Sequence, residues 1–124
     1  MGPVLIVEDD PDIAEGLRYA LESAEFEARV VFTGEEGLAE SLNREHPPVL
    51  ILLDLLLPGM SGVEICRRLR LEPSTKRTPI IMMSARASAA DITIGLDVGA
   101  DDYIGKPFSI KDVISRIHAL LSNR

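Results

Sequence analysis

Asp54 is the one charged residue among eight aliphatic side chains in VLILLDLLL, residues 49–57, and Pro58 and Gly59 follow it. An unpaired carboxylate inside so apolar a stretch is costly enough that the group would sooner neutralise. Either Asp54 ends a buried strand and emerges into a polar site, or the run is solvated. Three other segments have the same form. Glu8-Asp9-Asp10 follows the apolar run 4–7, Ser84-Ala85 follows 80–83, and Gly105-Lys106-Pro107-Phe108 follows 102–104. Were these run ends to share one edge, several carboxylates, one hydroxyl and one ammonium would meet there.

Two carboxylates a few ångströms apart repel by about 4 kcal/mol at an effective dielectric near 20. Lys106 alone cannot balance three acids. An all-oxygen ligand set with room for water suits Mg²⁺ better than zinc, because His46, His118 and Cys66 all lie away from these run ends. The expected cation ligands are Asp9 and Asp54, with Glu8 in support, while Asp10 caps the helix that follows. A cation beside a carboxylate, a lysine and a hydroxyl suits a phosphoryl group. The metal and Lys106 would neutralise its oxygens, Ser84 would donate a hydrogen bond, and Asp54 would attack phosphorus.

The elements that must position these groups can be read from periodicity. Runs 4–7, 28–32, 49–53 and 80–83 are continuous rather than alternating, as strands covered on both faces require, and 102–104 is a weaker fifth. Helical patterns lie between them. Asp10-Pro11 supplies a cap and a first-turn proline before Ile13, Leu17, Leu21 and Ala24. Thr33 with Glu36, and Ser61 with Glu64, have capping-box spacing. Ser109 with Asp112 opens the last helix, whose apolar face is Ile110, Val113, Ile114, Ile117, Leu120 and Leu121. The fourth helix, over 87–98, is the ambiguous one. Ile92, Ile94, Leu96 and Val98 alternate as a strand would, whereas Ala87, Ala89 and Ala90 favour helix. Five such βα units predict an α/β fold, a doubly wound parallel sheet whose working site lies beyond the carboxyl ends of its strands.

At 124 residues the chain is read as one domain, 1–124. No apolar run approaches the ~20 residues that span a bilayer, and the opening apolar run is too short for an anchor or signal peptide. A cytoplasmic location without membrane contact is expected. The net charge of −7 argues against nucleic-acid binding by this chain itself. The charge is uneven: residues 1–66 hold fourteen acids and three bases, and 67–124 hold six and ten. The lone Cys66 reads as a small buried hydrophobe, and His46 and His118 as surface residues.

The segments LIVEDDP, LLDLLLPGMSG, IIMMSARA and GADDYIGKPF, in this order and spacing, resemble the receiver domain of two-component response regulators over essentially the whole chain. The resemblance implies a flavodoxin-like fold, with five strands ordered 2-1-3-4-5 and five helices. It implies a signalling phosphoacceptor rather than an enzyme. Asp54 would take a phosphoryl group from a phosphohistidine on a sensor histidine kinase or phosphotransfer protein. Mg²⁺ would be held by Asp9, Asp54 and the backbone carbonyl of Leu56, with Glu8 acting through water. Lys106 would contact the phosphoryl group, Ser84 would swing toward it, and Tyr103 would turn inward behind Ser84. The bond before Pro107 would be cis, and Leu56 and Arg86 would flank the path of the hydrolytic water. The switch would be a two-state equilibrium of helix 4, strand 5 and helix 5.

GADDYIGKPF is closest to receivers that carry a winged-helix DNA-binding domain and dimerise through that same face. Asp97, Asp101, Asp102, Lys111 and Arg116 match charged positions there, so a homodimer on phosphorylation is an expectation. Ile92 departs from the basic residue usual in that subgroup, and LEPSTKRTP is a longer loop than usual. Rival readings fare worse. A haloacid-dehalogenase-like phosphatase would place an acid where Leu56 stands, and EDDP would repel the phosphate of a flavin. The alternative is a receiver-like protein-interaction module independent of phosphorylation. Its weakness is that Glu8, Asp9, Asp54, Ser84 and Lys106 are all retained.

Overall fold

The computed structural model describes residues 2–122. Among the described residues ten elements alternate: β1 (Val4–Val7), α1 (Pro11–Ser23), β2 (Ala28–Val31), α2 (Gly34–Ser41), β3 (Leu50–Asp54), α3 (Gly62–Leu71), β4 (Ile80–Ser84), α4 (Ala89–Val98), β5 (Asp102–Gly105) and α5 (Ile110–Ser122). All pairings are parallel, in the order β2-β1-β3-β4-β5. The reversal of strand order falls between β1 and β3, so a crevice opens at their carboxyl ends.

Strand alternation divides the core into two layers. Leu5, Val7, Ile51, Leu53, Ile80 and Met82 face α3 with Ile65, Cys66 and Leu69. Val4, Ile6, Leu50, Leu52, Ile81 and Met83 face α1 and α5 through Leu17, Leu21, Val113 and Ile117. Every residue of β1, β3 and β4 is buried, which is why those runs carry no polar alternation. Asp54 is thus the last residue of β3, in register with Met83, one position later than the apolar run alone suggests. Ser84 likewise ends β4, in register with Gly105.

The helix starts follow the expected caps, with one difference. Asp10 accepts the N–H groups of Asp12 and Ile13, and Thr33, Ser61 and Ser109 each accept the N–H three residues on. The acids at the third helical positions are used otherwise. Glu36 bonds the Thr33 hydroxyl and the Phe32 N–H, Glu64 pairs with Arg67 and Arg68, and Asp112 pairs with Arg116. The reciprocal box forms at α4, where Ser88 and Asp91 each bond the other's backbone N–H. That capping box starts the ambiguous helix. The alternation of Ile92, Ile94, Leu96 and Val98 arises because α4 leaves Ile94 and Leu96 exposed, and its fully buried position is Gly95.

Arg70, near the end of α3, fastens the far end of α4. Its guanidinium donates to the carbonyls of Gly99, Thr75, Lys76 and Thr78 and to the Asp101 carboxylate at 2.9 Å. The same Asp101 oxygen accepts the Ile80 N–H that opens β4. Replacing Arg70 with alanine removes a mostly buried charged donor from several acceptors. It should lower stability by about 2–3 kcal/mol in urea unfolding, whereas Arg67→Ala, on the exposed face, should cost under ~1 kcal/mol.

Candidate functional site

The carboxyl edge of the sheet brings the acids together. One oxygen from each of Glu8, Asp9 and Asp54 lies within 4.8 Å of the other two. Glu8 follows the end of β1, Asp54 ends β3, and Lys106 follows β5, held to β4 by its N–H to the Ser84 carbonyl at 2.8 Å. The Lys106 Nζ stands between two of the acids, donating to Glu8 Oε1 at 2.7 Å and to Asp54 Oδ2 at 3.2 Å. These residues are 98 and 52 positions away in the chain, and only the sheet joins them.

Each carboxylate has backbone partners as well. Asp54 Oδ1 accepts the Leu56 N–H at 3.2 Å, and Glu8 Oε2 accepts the Asp10 N–H at 3.1 Å. Glu8 is fully buried and Asp54 nearly so, while Asp9 is exposed. Burial pushes the Glu8 carboxyl up to about 7, and the neighbouring Asp54 pushes the same way against the opposing bonds from Lys106 and the Asp10 N–H. For Lys106 burial alone would lower the pKa, but Glu8 and Asp54 outweigh it and hold the ammonium above its ordinary value. One lysine does not neutralise this site. Three convergent carboxylate oxygens without nitrogen or sulfur ligands fit a hard divalent cation.

Ser84 sits at the same edge and is buried, but its Oγ accepts the Arg86 N–H at 3.0 Å. A hydroxyl so engaged still has its own proton to donate. Ser84 lines a cleft of about 260 Å³ with Leu55, Leu56, Arg86, Ile94 and Gly95, between the segment after β3 and α4. Tyr103 is turned inward, and its hydroxyl donates to the Arg86 carbonyl. The backbone of Arg86 therefore touches both Ser84 and Tyr103. No side-chain pattern could have signalled that role, since both contacts are to main-chain atoms. The Lys106-Pro107 peptide is cis, as the resemblance implied.

Much of the expected charged face is engaged within the chain. Asp101 binds Arg70 and the Ile80 N–H. Asp102 accepts from Arg116 at 2.7 Å and from the Tyr103 N–H, and Arg116 also reaches Asp112. Asp97 and Lys111 are exposed on α4 and α5. Cys66 is buried, and His46 is exposed, as expected. His118 is exposed, yet its ring lies 5.1 Å from that of Phe26.

The model of the response regulator receiver domain matches residues 4–118. The chain belongs to this family. Among relatives of the receiver, the phosphate regulon transcriptional regulatory protein PhoB of Rhizobium meliloti is 45% identical over 118 residues, covering 95% of this chain and 51% of PhoB. The sensory transduction protein RegX3 of Mycobacterium tuberculosis is 46% identical over 121 residues, with 98% and 51% covered. This receiver therefore spans about half the length of the curated relatives it matches. A putative response regulator from Chloroflexus aurantiacus superposes with a TM-score of 0.90 at 36% identity, each chain covered to 98%. The expected likeness to transcription-factor receivers agrees with these relatives. Among the described residues, no helix is long and apolar enough to cross a membrane.

Proposed function

We propose that this receiver is a cytoplasmic phosphoacceptor switch in which Asp54 takes the phosphoryl group from a phosphohistidine on a sensor histidine kinase or phosphotransfer protein. The observation that carries the reading is the convergence of three carboxylates and Lys106 at the carboxyl edge, with Asp54 oriented by the Leu56 N–H. Glu8, Asp9 and Asp54, with the backbone carbonyl of Leu56, would hold Mg²⁺, which when bound offsets negative charge on the phosphoryl oxygens. The chain's own groups do the rest. Asp54 supplies the attacking oxygen, and the transfer leaves the donor imidazole with the electron pair of the broken P–N bond. Lys106, already against Asp54, neutralises a phosphoryl oxygen. Ser84 turns its hydroxyl proton to another oxygen.

This last movement gives the switch its route. Ser84 holds the Arg86 N–H and Tyr103 holds the Arg86 carbonyl, so a shift of Ser84 is felt at β5. Leu56, more than half exposed, and Arg86 would flank the approach of hydrolytic water. The chain thus self-phosphorylates and self-dephosphorylates without acting as an enzyme on other molecules. A homodimer through α4, β5 and α5 would have to build on Asp97, Lys111 and the pairs now closed by Asp101, Asp102 and Arg116. Sedimentation with and without beryllofluoride should show dimer only with it, and monomer in both states would sink the dimer.

The chemistry is tested by incubation with acetyl phosphate and Mg²⁺ followed by intact mass. The expected result is a gain of one phosphoryl group, absent in EDTA. No gain would instead favour an interaction module independent of phosphorylation. The buried Glu8 adds a pH signature. With its carboxyl at about 7, cation binding must release that proton at lower pH, so apparent Mg²⁺ affinity should fall by up to ~tenfold per pH unit below that value. Calorimetric titration across the neutral range checks it.

A further inference from the structure

We propose that Gly62, with Gly34 in support, is a positioning residue for Asp54, an inference that rests on Asp54 being the phosphoacceptor. The segment 55–61 orients the Asp54 carboxylate, since the Leu56 N–H bonds Oδ1. That segment is anchored at its start by the Leu55 N–H to the Met83 carbonyl at 3.1 Å. It is closed at its end by the Gly62 N–H to the Leu55 carbonyl at 3.1 Å. The closure brings the first turn of α3 onto the acceptor's own backbone. A Cβ at Gly62 would stand 2.5 Å from the Asp54 carbonyl oxygen and 2.8 Å from the Leu55 Cα. Both are main-chain atoms, so no rotamer change relieves the overlap.

Backbone freedom does not explain this glycine. Gly62 opens α3 and is not among the glycines of positive φ, and alanine would be the better helix former there. What position 62 requires is the absence of a side chain. The other end of the segment is held in the same manner. A Cβ at Gly34, the first residue of α2, would stand 2.1 Å from the Met60 carbonyl oxygen. The acceptor segment is therefore gripped between two bare helical turns, and its position is set by main-chain contact on both sides. A methyl group at 62 must move the Asp54 backbone or α3 by at least about half an ångström, since real Cβ contacts do not fall below 3.0 Å. Displacements approaching an ångström at a reacting group cost up to ~100-fold in rate.

The test measures the rate of phosphoryl gain from acetyl phosphate, per folded molecule, together with the Mg²⁺ concentration for half-maximal rate. Gly62→Ala is expected to slow phosphorylation about 10- to 100-fold at saturating Mg²⁺ and to raise the Mg²⁺ half-point, because the Asp54 carboxylate serves both steps. Gly34→Ala should slow it less. Gly16→Ala, on α1 with nothing within 4 Å of its Cβ, should match the wild type. Ile117→Val, buried in α5, should lower the melting temperature and move neither readout. Folded Gly62→Ala reacting within about twofold of wild type would overturn the proposal. If Gly62→Ala does not fold, Gly34→Ala decides by the same criterion. A wild type that gains no phosphoryl group overturns the acceptor reading and, with it, this inference.

Discussion

Asp54→Asn should abolish phosphoryl gain outright, with the chain still folded. The amide presents the same shape and keeps an Oδ1 acceptor for the Leu56 N–H, while its NH2 replaces the Oδ2 that accepts from Lys106, which retains Glu8. What is lost is the nucleophile, since a neutral amide does not form an acyl phosphate. The neighbouring acids are no substitute. Glu8 is fully buried against Lys106 and the Asp10 N–H, and Asp9 leads into the start of α1. Without metal, the variant should also be no less stable than wild type, because it removes one of two carboxylates that share a single lysine. Mass spectrometry with acetyl phosphate, and urea unfolding in EDTA, measure the two effects separately. A variant that still gained a phosphoryl group would shift the chemistry to another carboxylate.

Lys106→Met should slow phosphorylation by about a hundredfold and destabilise the fold in a pH-dependent way. Methionine keeps much of the stem's packing while deleting the ammonium that stands between Glu8 and Asp54. Breaking a buried pair costs about 3–5 kcal/mol when the remaining charge stays ionised. Glu8 can escape by taking a proton, so the cost depends on pH. In wild type the Glu8 carboxyl lies at about 7 against an ordinary 4.5. Between those values the folded chain binds more protons than the unfolded one, so stability in the absence of metal falls as pH rises through this window and levels off above it. Removing Lys106 deletes a bond that lowers the Glu8 value, so the window extends upward. The loss in Lys106→Met should therefore be smaller near pH 5.5 than above about 7, where wild-type Glu8 is ionised, and should keep growing until the variant's Glu8 has lost its proton as well. Lys106 itself, held above its ordinary value, stabilises fully below that value and ceases to only as pH rises through its folded pKa. Urea unfolding in EDTA at acid and alkaline pH checks the trend. Equal losses at both would mean that Glu8 is not what Lys106 balances.

The fold and the heart of the site were legible because burial leaves a plain mark. Strands covered on both faces read as unbroken apolar runs, and the polar residue ending each run had to sit at a strand end. Glu8 and Asp54 follow from that alone, and Lys106 from the weaker run 102–104 that precedes it. Asp54 and Ser84 do end β3 and β4, remaining in the ladder although they are polar, whereas β2 stops at Val31, one residue short of its apolar run. The residues that escaped did so for physical reasons. Asp101 looks like a free surface acid until Arg70, 31 positions earlier, folds onto it. Alternation in α4 mimics a strand because Ile94 and Leu96 stay exposed while Ile92 and Val98 pack inward beside Gly95, which carries no hydrophobic signal. Gly34 and Gly62 matter through what they lack, and an absent side chain sets no period. Arg86 acts through its main chain, which every residue possesses.

The most direct measurement locates the phosphoryl group. Wild-type protein treated with acetyl phosphate and Mg²⁺, then reduced with borohydride, should yield homoserine at position 54 in a peptide map, with none when EDTA replaces Mg²⁺. Homoserine at Asp9 or any other acid, or an unmodified map under the same conditions, would contradict the assembly of Glu8, Asp9, Asp54 and Lys106 as a site for phosphoryl transfer.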